Sequence, residues 1–199
     1  MVRTTTSRPP KRRGHAVRRR ELRAPSARGG RFSFFEYRIS GISDKEEKLN
    51  RNILYMRMAL REAEKAFKKN EAPVGAVAVR EGVILARAHN EREAGNDPLG
   101  HAELLLLKKV SKKLKSWRVG GVTIYVTLEP CLMCMGALLQ ARVSHLVFGA
   151  LDPKAGACGS LFDLSQDQRL NHRIEVTRGV LGGECGKILS SFFKRLRRS

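Results

Sequence analysis

The spacing of apolar residues predicts a long helix that begins near Asp44. From there, apolar side chains recur at steps of three and four residues as far as Phe67. They are Ile53, Met56, Ala59, Leu60, Ala63 and Phe67. This period places them on one face of an amphipathic helix of about six turns. The polar stretch "KKNEAPVG" is expected to end it.

The segments that follow have the length and composition of strands. "AVAVR" and "VILARA" flank the dipeptide "EG" at 81–82 and predict a β-hairpin. The almost continuous apolar run "VTIYVTL" at 122–128 is typical of a strand covered on both faces. "HLVFGA" and "RIEVTRGV" predict two more strands.

Helices are predicted between these strands. After the polar loop "HNEREAGNDPLG", a helix begins near His101 with "LLLL" on its buried side. Another begins at the cysteines of "PCLMC", opened by Pro130, and runs to about Ala141. A closing helix runs from about Gly183 to Arg197. The alternation predicts an α/β protein with helices on both faces of one sheet.

The distribution of charge separates the N-terminus from the rest. The formal net charge is +20, and residues 1 to 40 hold twelve Lys or Arg against two Glu. A positive field of this size favours polyanions such as nucleic acid. We expect residues 1–43 to be a disordered basic extension because they lack apolar periodicity, and residues 44–199 to form one domain. The extension is an RNA-binding arm, an organelle transit peptide, or upstream sequence from a wrongly assigned start.

Cysteine content and hydropathy restrict the compartment. No run approaches the roughly 20 apolar residues of a membrane-spanning helix, and no apolar secretory segment opens the chain. Four cysteines are too few for a disulfide-stapled secreted scaffold. We therefore expect a protein of the cytoplasm without membrane contact; the transit-peptide interpretation would place it in an organelle.

Two short motifs carry the candidate chemistry. The pair Cys131 and Cys134 is compatible with a structural zinc site, a redox disulfide or a catalytic metal centre. A four-cysteine site lacks an evident second half, because the other two cysteines stand alone. "GHAE" supplies His101 as a third ligand and, two residues later, Glu103 as a proton carrier. Three protein ligands leave one tetrahedral position open, as in catalytic zinc sites.

The predicted helix starts favour this metal site. Both motifs stand where a helix begins, so the two helix N-termini can face each other at one edge of the sheet. Cys131 and Cys134, three residues apart on a helix, lie on one face. The partial positive charge of a helix N-terminus favours the thiolate that binds metal.

These motifs carry a family resemblance. "HAE" followed by "PCLMC" resembles the H-x-E and P-C-x-x-C signature of the zinc-dependent cytidine and deoxycytidylate deaminase superfamily. Over about residues 50 to 195, "APVGAVAV", "NDPLGHAE", "VTLEPCLMCMGAL", "VFGALDPKAGACGS" and "ECGKILSSFF" are similar to bacterial tRNA-specific adenosine deaminases. The resemblance implies a cytidine-deaminase-like, three-layer α/β/α fold with a mixed five-stranded sheet.

The resemblance also implies a function. It is the hydrolytic conversion of adenosine to inosine at the wobble position of a tRNA anticodon, with arginine tRNA as the expected substrate. One Zn²⁺ per subunit would be held by His101, Cys131 and Cys134. Glu103 would carry protons from the attacking water to the purine and the departing amine. The family is homodimeric, so a homodimer is expected.

Substrate contacts follow from the same resemblance. Asn90 would hydrogen-bond the target base, although asparagine is also common in turns. The backbone of Ala102 and the side chains of Val74 and Leu128 would complete the pocket.

Further contacts are expected at the anticodon loop. Asp152 and Lys154 match positions near the flanking nucleotides, with a solvated loop as the alternative. Phe193 and the basic residues around it would grip the loop by stacking and phosphate contacts, unless they form a solvated charged face. Glu129 is expected to cap or support neighbouring groups rather than to act as the catalytic carboxylate.

Two other functions compete with tRNA deamination. A deaminase of free cytosine or guanine bases or nucleosides would use the same metal motif, but a small neutral substrate does not explain the charge. A nucleic-acid-binding module with structural zinc would explain the charge, but not an open coordination position.

Overall fold

The computed structural model describes residues 43 to 198. Its first helix begins at a capping box. The Glu46 N–H donates to Ser43 Oγ (3.3 Å), and the Ser43 N–H donates to the Glu46 carboxylate (2.9 Å). This helix, α1 (Asp44–Lys68), confirms the predicted one. The predicted disordered extension, apart from its last residue, lies outside the described residues.

The remaining elements follow the predicted alternation. The other helices are α2 (Arg92–Gly95), α3 (Ala102–Leu114), α4 (Leu132–Gln140) and α5 (Gly182–Leu196). The strands are β1 (Gly75–Arg80), β2 (Val83–His89), β3 (Thr123–Leu128), β4 (His145–Ala150) and β5 (Glu175–Thr177). The short α2 was not predicted, because it lies inside a stretch that reads as polar loop.

The strands form one mixed sheet in the order β2-β1-β3-β4-β5. β1 pairs antiparallel with β2 and β3, whereas β3, β4 and β5 run parallel. Glu81 (φ 52°) and Gly82 (φ 74°) both adopt the left-handed conformation. A two-residue hairpin turn of the type I′ requires this at both positions, so the predicted hairpin is confirmed.

Helices cover both faces of the sheet. One face packs Val77, Tyr125 and Val147 against α1 and α5, and the other packs Ile124 and Phe148 against α3 and α4. Neighbouring residues of β3 thus enter opposite layers, and the four central ones are buried, as expected of a strand covered on both sides. The three-layer α/β/α fold implied by the resemblance is confirmed.

The prediction that Pro130 opens α4 is wrong. Cys131 is the N-cap, with extended backbone (φ −73°, ψ 174°), and the helix begins at Leu132. Cys131 also forms an isolated antiparallel bridge with Gly156. The chain therefore stays extended past the end of β3, which carries the first cysteine to the sheet edge before the helix turns away.

No helix among residues 43 to 198 is long and apolar enough to cross a bilayer.

A glycine sets the distance between β1 and α1. A Cβ at Gly75 would overlap the Ala59 carbonyl oxygen and the Ala63 nitrogen. We expect Gly75→Ala to lower the free energy of unfolding by about 3 kcal/mol or more, because two backbones must separate. Gly186→Ala is the control, since its added Cβ meets nothing within 4 Å and should stabilise α5 by up to about 1 kcal/mol. The free energies are measured by urea unfolding, and equal changes in the two variants would contradict this account.

Candidate active site

The structure brings together one imidazole and two thiols at the sheet edge. His101 is the N-cap of α3, Cys131 is the N-cap of α4, and Cys134 lies in the first turn of α4. His101 Nδ1 lies 3.8 Å from Cys131 Sγ and 3.5 Å from Cys134 Sγ. The three donor atoms all lie within 4.8 Å of one another.

This donor set fits zinc. Nitrogen and sulfur ligands at ordinary zinc distances and a tetrahedral angle lie roughly 3.6 Å apart, which matches the separations between the His101 nitrogen and the two sulfurs. Among residues 43 to 198, the group contains these three side chains and no fourth. Three protein ligands are typical of a catalytic rather than a structural zinc site.

The two thiols differ in their electrostatic environment. A hydrogen bond from Cys134 and, to a smaller extent, the His101 ring lower the pKa of Cys131 to about 4, against the opposing effect of burial. The same contact, together with burial, raises the pKa of Cys134. The pair therefore already holds one thiolate, the form that binds a metal cation.

Glu103 lies in the first turn of α3 and is 4% exposed. Its carboxyl group lines the same cavity as His101 and Cys131. Burial raises its pKa to about 6, although its own backbone N–H and the His101 ring act in the opposite direction. A carboxyl group with a pKa in this range gains and loses protons readily near neutral pH.

The cavity has a volume of about 610 Å³, within the usual range for a small-molecule site. Nine of the eleven predicted site residues line it. They are Val74, Asn90, His101, Glu103, Leu128, Cys131, Asp152, Lys154 and Phe193. The other two, Ala102 and Cys134, are fully buried behind its wall.

Asn90 connects the wall of the cavity to the start of α3. Its Oδ1 accepts a hydrogen bond from the Ala102 N–H (2.9 Å), and its own N–H donates to the Val74 carbonyl (3.1 Å). The side chain is 5% exposed. Since Oδ1 is engaged, the carboxamide NH₂ is the group that Asn90 offers to a ligand. The Ala102 N–H is committed to Asn90, and its predicted contact with substrate stays a prediction.

Glu129 organises the loop that follows β4. Its carboxylate accepts hydrogen bonds of 3.0 Å from the N–H groups of Asp152, Cys158 and Ser160, and one from the Ser160 hydroxyl. Burial acts to raise the pKa of Glu129, but these hydrogen bonds outweigh it and lower the pKa. These bonds agree with the predicted supporting role, and Glu129 caps none of the five helices of residues 43 to 198.

Asp152 is also occupied within that loop. Its Oδ1 accepts from the N–H groups of Lys154 (2.9 Å) and Ala155 (3.2 Å), so it stabilises its own turn. Lys154 is exposed on the same turn.

Sequence reasoning missed Glu71, a carboxylate that is 1% exposed. It accepts hydrogen bonds from the N–H groups of Arg92 (3.0 Å) and Ala94 (2.7 Å), and so holds the loop between Asn90 and His101. Its partners lie more than twenty residues away in the chain, and no local pattern indicates them. Arg92, which lines the cavity, was missed for the same reason.

The basic residues of α5 do not act as one group. Lys194 and Arg197 line the mouth of the cavity beside Phe193. Arg195 instead lies over the Phe67 ring (4.3 Å to the centroid) and donates to Asn70 Oδ1 (2.8 Å), joining α5 to the end of α1.

Comparison with known proteins agrees with this geometry. The profile of the MafB19-like deaminase family matches residues 50–197. The tRNA-specific adenosine deaminase of Bacillus subtilis (strain 168) is 52% identical over 145 residues, which are 73% of this chain and 90% of that protein. The chain belongs to the family of tRNA-specific adenosine deaminases. The family inferred from the sequence motifs is thereby confirmed.

Solved structures share the fold. One comes from a study of A-to-I editing by tRNA:A34 deaminases at the wobble position of transfer RNA, with a TM-score of 0.66 and 38% identity. The match covers 68% of this chain and 99% of that one. A guanine deaminase from Nitrosomonas europaea has a TM-score of 0.60 but only 20% identity, over 82% of this chain and 98% of that one, so it is similar in fold alone.

Replacement of Glu129 tests the loop support. In Glu129→Gln, an NH₂ group must face N–H donors, so we expect the free energy of unfolding at pH 7 to fall by about 1 to 3 kcal/mol. Because the folded-state pKa is lowered from 4.5, the wild type keeps this stabilisation above about pH 4.5 and loses it as the pH falls. The variant should therefore lose less stability between pH 7 and pH 4.

Urea unfolding at pH 7 and at pH 4, with protein freed of metal by a chelator, measures this difference in stability loss. Glu64→Gln, at an exposed position of α1, is the matched control and should change stability by less than about 0.5 kcal/mol. Equal pH dependence of Glu129→Gln and wild type would show that the carboxylate does not support the loop.

Proposed function

We propose that this chain hydrolytically deaminates adenosine to inosine at the wobble position of a tRNA anticodon, with arginine tRNA as the expected substrate. One observation carries the proposal: a cavity of about 610 Å³ is lined by His101, Cys131 and Glu103, and Cys134, buried behind its wall, completes the group of three possible metal ligands. The names of the Bacillus relative and of the tRNA:A34 neighbour support the same substrate.

The proposed cofactor is one Zn²⁺ per subunit, held by His101 Nδ1 and the sulfurs of Cys131 and Cys134. When bound there, zinc supplies Lewis acidity that lowers the pKa of a coordinated water toward neutrality. The lowered pKa of Cys131 and the N–S separations support this ligand set.

Glu103 is the proposed proton carrier. It accepts one proton as water attacks carbon 6 and passes it to the adjacent ring nitrogen; it then accepts the remaining proton of the new hydroxyl group and delivers it to the amino group as that group leaves. The net reaction replaces the exocyclic amine with a carbonyl oxygen and releases ammonia. Burial keeps the pKa of Glu103 near 6, which suits a group that must both accept and donate within one cycle.

Apolar side chains and one amide are proposed to hold the base. Val74 and Leu128 line the cavity and offer apolar contact to the purine rings. Asn90 donates from its carboxamide NH₂ to an acceptor of the base, because its oxygen is engaged by Ala102. A buried amide whose orientation is held by the backbone reads a purine edge without losing rotamer entropy on binding.

The mouth of the cavity is suited to the flanking nucleotides. Phe193 is 44% exposed and offers a stacking face, and Lys154, Lys194 and Arg197 surround it with positive charge. Asp152 takes part by holding the turn that presents Lys154. A free base would need none of these groups, so the mouth favours RNA over the free cytosine or guanine alternative.

We also propose a homodimer in the cytoplasm. Leu132, Leu151, Leu161 and Phe162 are large apolar side chains that are about half exposed. They belong to the start of α4 and to the loop that the Cys131–Gly156 bridge holds beside it. A patch of this kind supports burial against a second copy.

The carboxyl of Glu103 is tested by an isosteric replacement. Glu103→Gln cannot carry a proton, so kcat should fall by about 10² to 10⁴ or more, whereas zinc content should stay near that of the wild type. The assay measures inosine formed in an anticodon stem-loop with adenosine at the wobble position. Glu93→Gln, exposed in the neighbouring loop, is the control and should retain activity. Near-normal turnover of Glu103→Gln would exclude the role, and activity on free guanine or cytosine alone would exclude the substrate.

The role of Asn90 can be tested by removing its proposed hydrogen bond to the base while keeping its hydrogen bond to Ala102. Asn90→Asp keeps an oxygen for the Ala102 N–H but removes the NH₂ donor. We expect KM for the stem-loop to rise about tenfold or more, and the free energy of unfolding to fall because a buried carboxylate replaces a neutral amide. Asn90→Ala removes both bonds and should lower stability as well. If Asn90→Asp bound the stem-loop normally, the side chain would serve only to hold α3.

A further inference from the structure

The far end of α3 carries a positive surface that the proposed reaction does not use. The segment from Leu104 to Leu128 contains six Lys or Arg and no Asp or Glu. All six are exposed, and none forms an ion pair with a carboxylate of residues 43 to 198. This differs from α1, where Arg51 and Lys65 each pair with a glutamate.

Two of these lysines have a structural role. Lys109 Nζ donates to the Arg87 carbonyl (3.1 Å), and Lys113 Nζ donates to the Leu85 carbonyl (3.0 Å). Both acceptors belong to β2, the edge strand of the sheet. These two lysines therefore cover an exposed sheet edge, which would otherwise be open to pairing with another chain.

The remaining three lysines, with Arg118 and an aromatic residue, form a separate surface, which we call the α3-end patch: Lys108, Lys112, Lys115, Trp117 and Arg118. Lys108 and Lys112 are four residues apart and lie on one side of α3, whereas Lys115 is the C-cap and adopts the left-handed conformation (φ 52°). Like charges four residues apart oppose helix formation, and the negative end of the helix dipole compensates only the last turn. Lys108 forms no ion pair with a carboxylate of residues 43 to 198.

The patch also contains an aromatic platform. Trp117 is 60% exposed, the side chain of Arg118 lies 4.6 Å from its ring centroid, and no other large apolar side chain between residues 100 and 131 is exposed. Insertion into a membrane surface needs several apolar side chains together. A single indole stacked with a guanidinium and flanked by lysines is instead suited to an unpaired base with phosphates on either side.

We propose that the α3-end patch is a second RNA-binding site, which takes a single-stranded or looped stretch of RNA. Trp117 and Arg118 stack on one base, and Lys108, Lys112 and Lys115 contact successive phosphates. The patch is distinct from the cavity, because α3 begins at the cavity with Ala102, reaches Lys108 after roughly 9 Å, and carries the rest of the patch at or beyond its end, roughly 20 Å away. The site does not depend on the deaminase reaction.

Photocrosslinking tests where the RNA lies. An oligouridylate of roughly 12 nucleotides, within the usual range of site sizes, carries one 5-iodouridine and contains no adenosine to deaminate. It is irradiated with the full, zinc-loaded chain in the absence of any other RNA. Mass spectrometry should find the adduct on Trp117. Adducts confined to the cavity mouth or to the N-terminal residues would overturn the proposal.

Affinity measurements test which side chains bind. Fluorescence anisotropy with the same labelled oligonucleotide should show about tenfold weaker binding for Trp117→Ala. Replacing Lys108, Lys112 and Lys115 with Gln should reduce the slope of log K against log salt by about 2, since each phosphate contact contributes roughly 0.7. The matched control replaces Lys45, Arg57 and Arg61, three exposed cations of α1, with Gln.

The comparison with that control decides the result. If both triple variants weaken binding equally, only the general field of the protein attracts RNA, and the patch is not a site. Binding to vesicles of anionic phospholipid without binding to the oligonucleotide would also overturn the proposal. Glu103→Gln should keep full oligonucleotide affinity while losing deamination, so failure of the second site and failure of the proposed reaction are distinguishable. Circular dichroism and thermal unfolding confirm that each variant is folded.

Discussion

The geometry of the candidate active site depends on two buried carboxylates, which need hydrogen bonds from backbone N–H groups. Burying an ionised carboxylate costs several kcal/mol unless donors satisfy it. Glu71 takes N–H groups from the loop before α3, and Glu129 takes them from the loop after β4. Each loop supplies one side of the cavity, so these two requirements hold its walls in place around the proposed metal ligands.

The sheet determines where the chemistry occurs. β3 is central and runs parallel to β4, and α4 begins a few residues beyond its carboxyl end with Cys131 as N-cap. The end of β2 leads through a loop held by Glu71 to His101, the N-cap of α3. Two helix N-termini therefore meet at one edge, and their partial positive charges favour thiolate and carboxylate groups there. The same edge buries Glu103, which raises its pKa.

Positive charge serves different purposes in different parts of the molecule. Lys154, Lys194 and Arg197 lie at the mouth of the cavity, where phosphates of a bound anticodon loop would pass. Lys109 and Lys113 cover the exposed edge of β2, and Arg195 joins α5 to α1. The α3-end patch has no such structural partner. Net charge alone does not distinguish these groups of cations. They have the same side-chain chemistry and differ only in the residues or the space that they contact.

Sequence alone predicted the strands, the helices other than α2, and the association of His101, Cys131 and Cys134 with Glu103, because periodicity and short motifs are local properties of the chain. It also marked Asn90 as a reader of the base through family resemblance, but not the hydrogen bond to Ala102 that leaves only its NH₂ available. The tertiary structure alone decided that Pro130 precedes an extended N-cap, that Glu71 holds Arg92 and Ala94, and which cations face the cavity. These features arise from contacts between segments far apart in the chain, and a buried polar group is satisfied by whatever donor the fold brings to it.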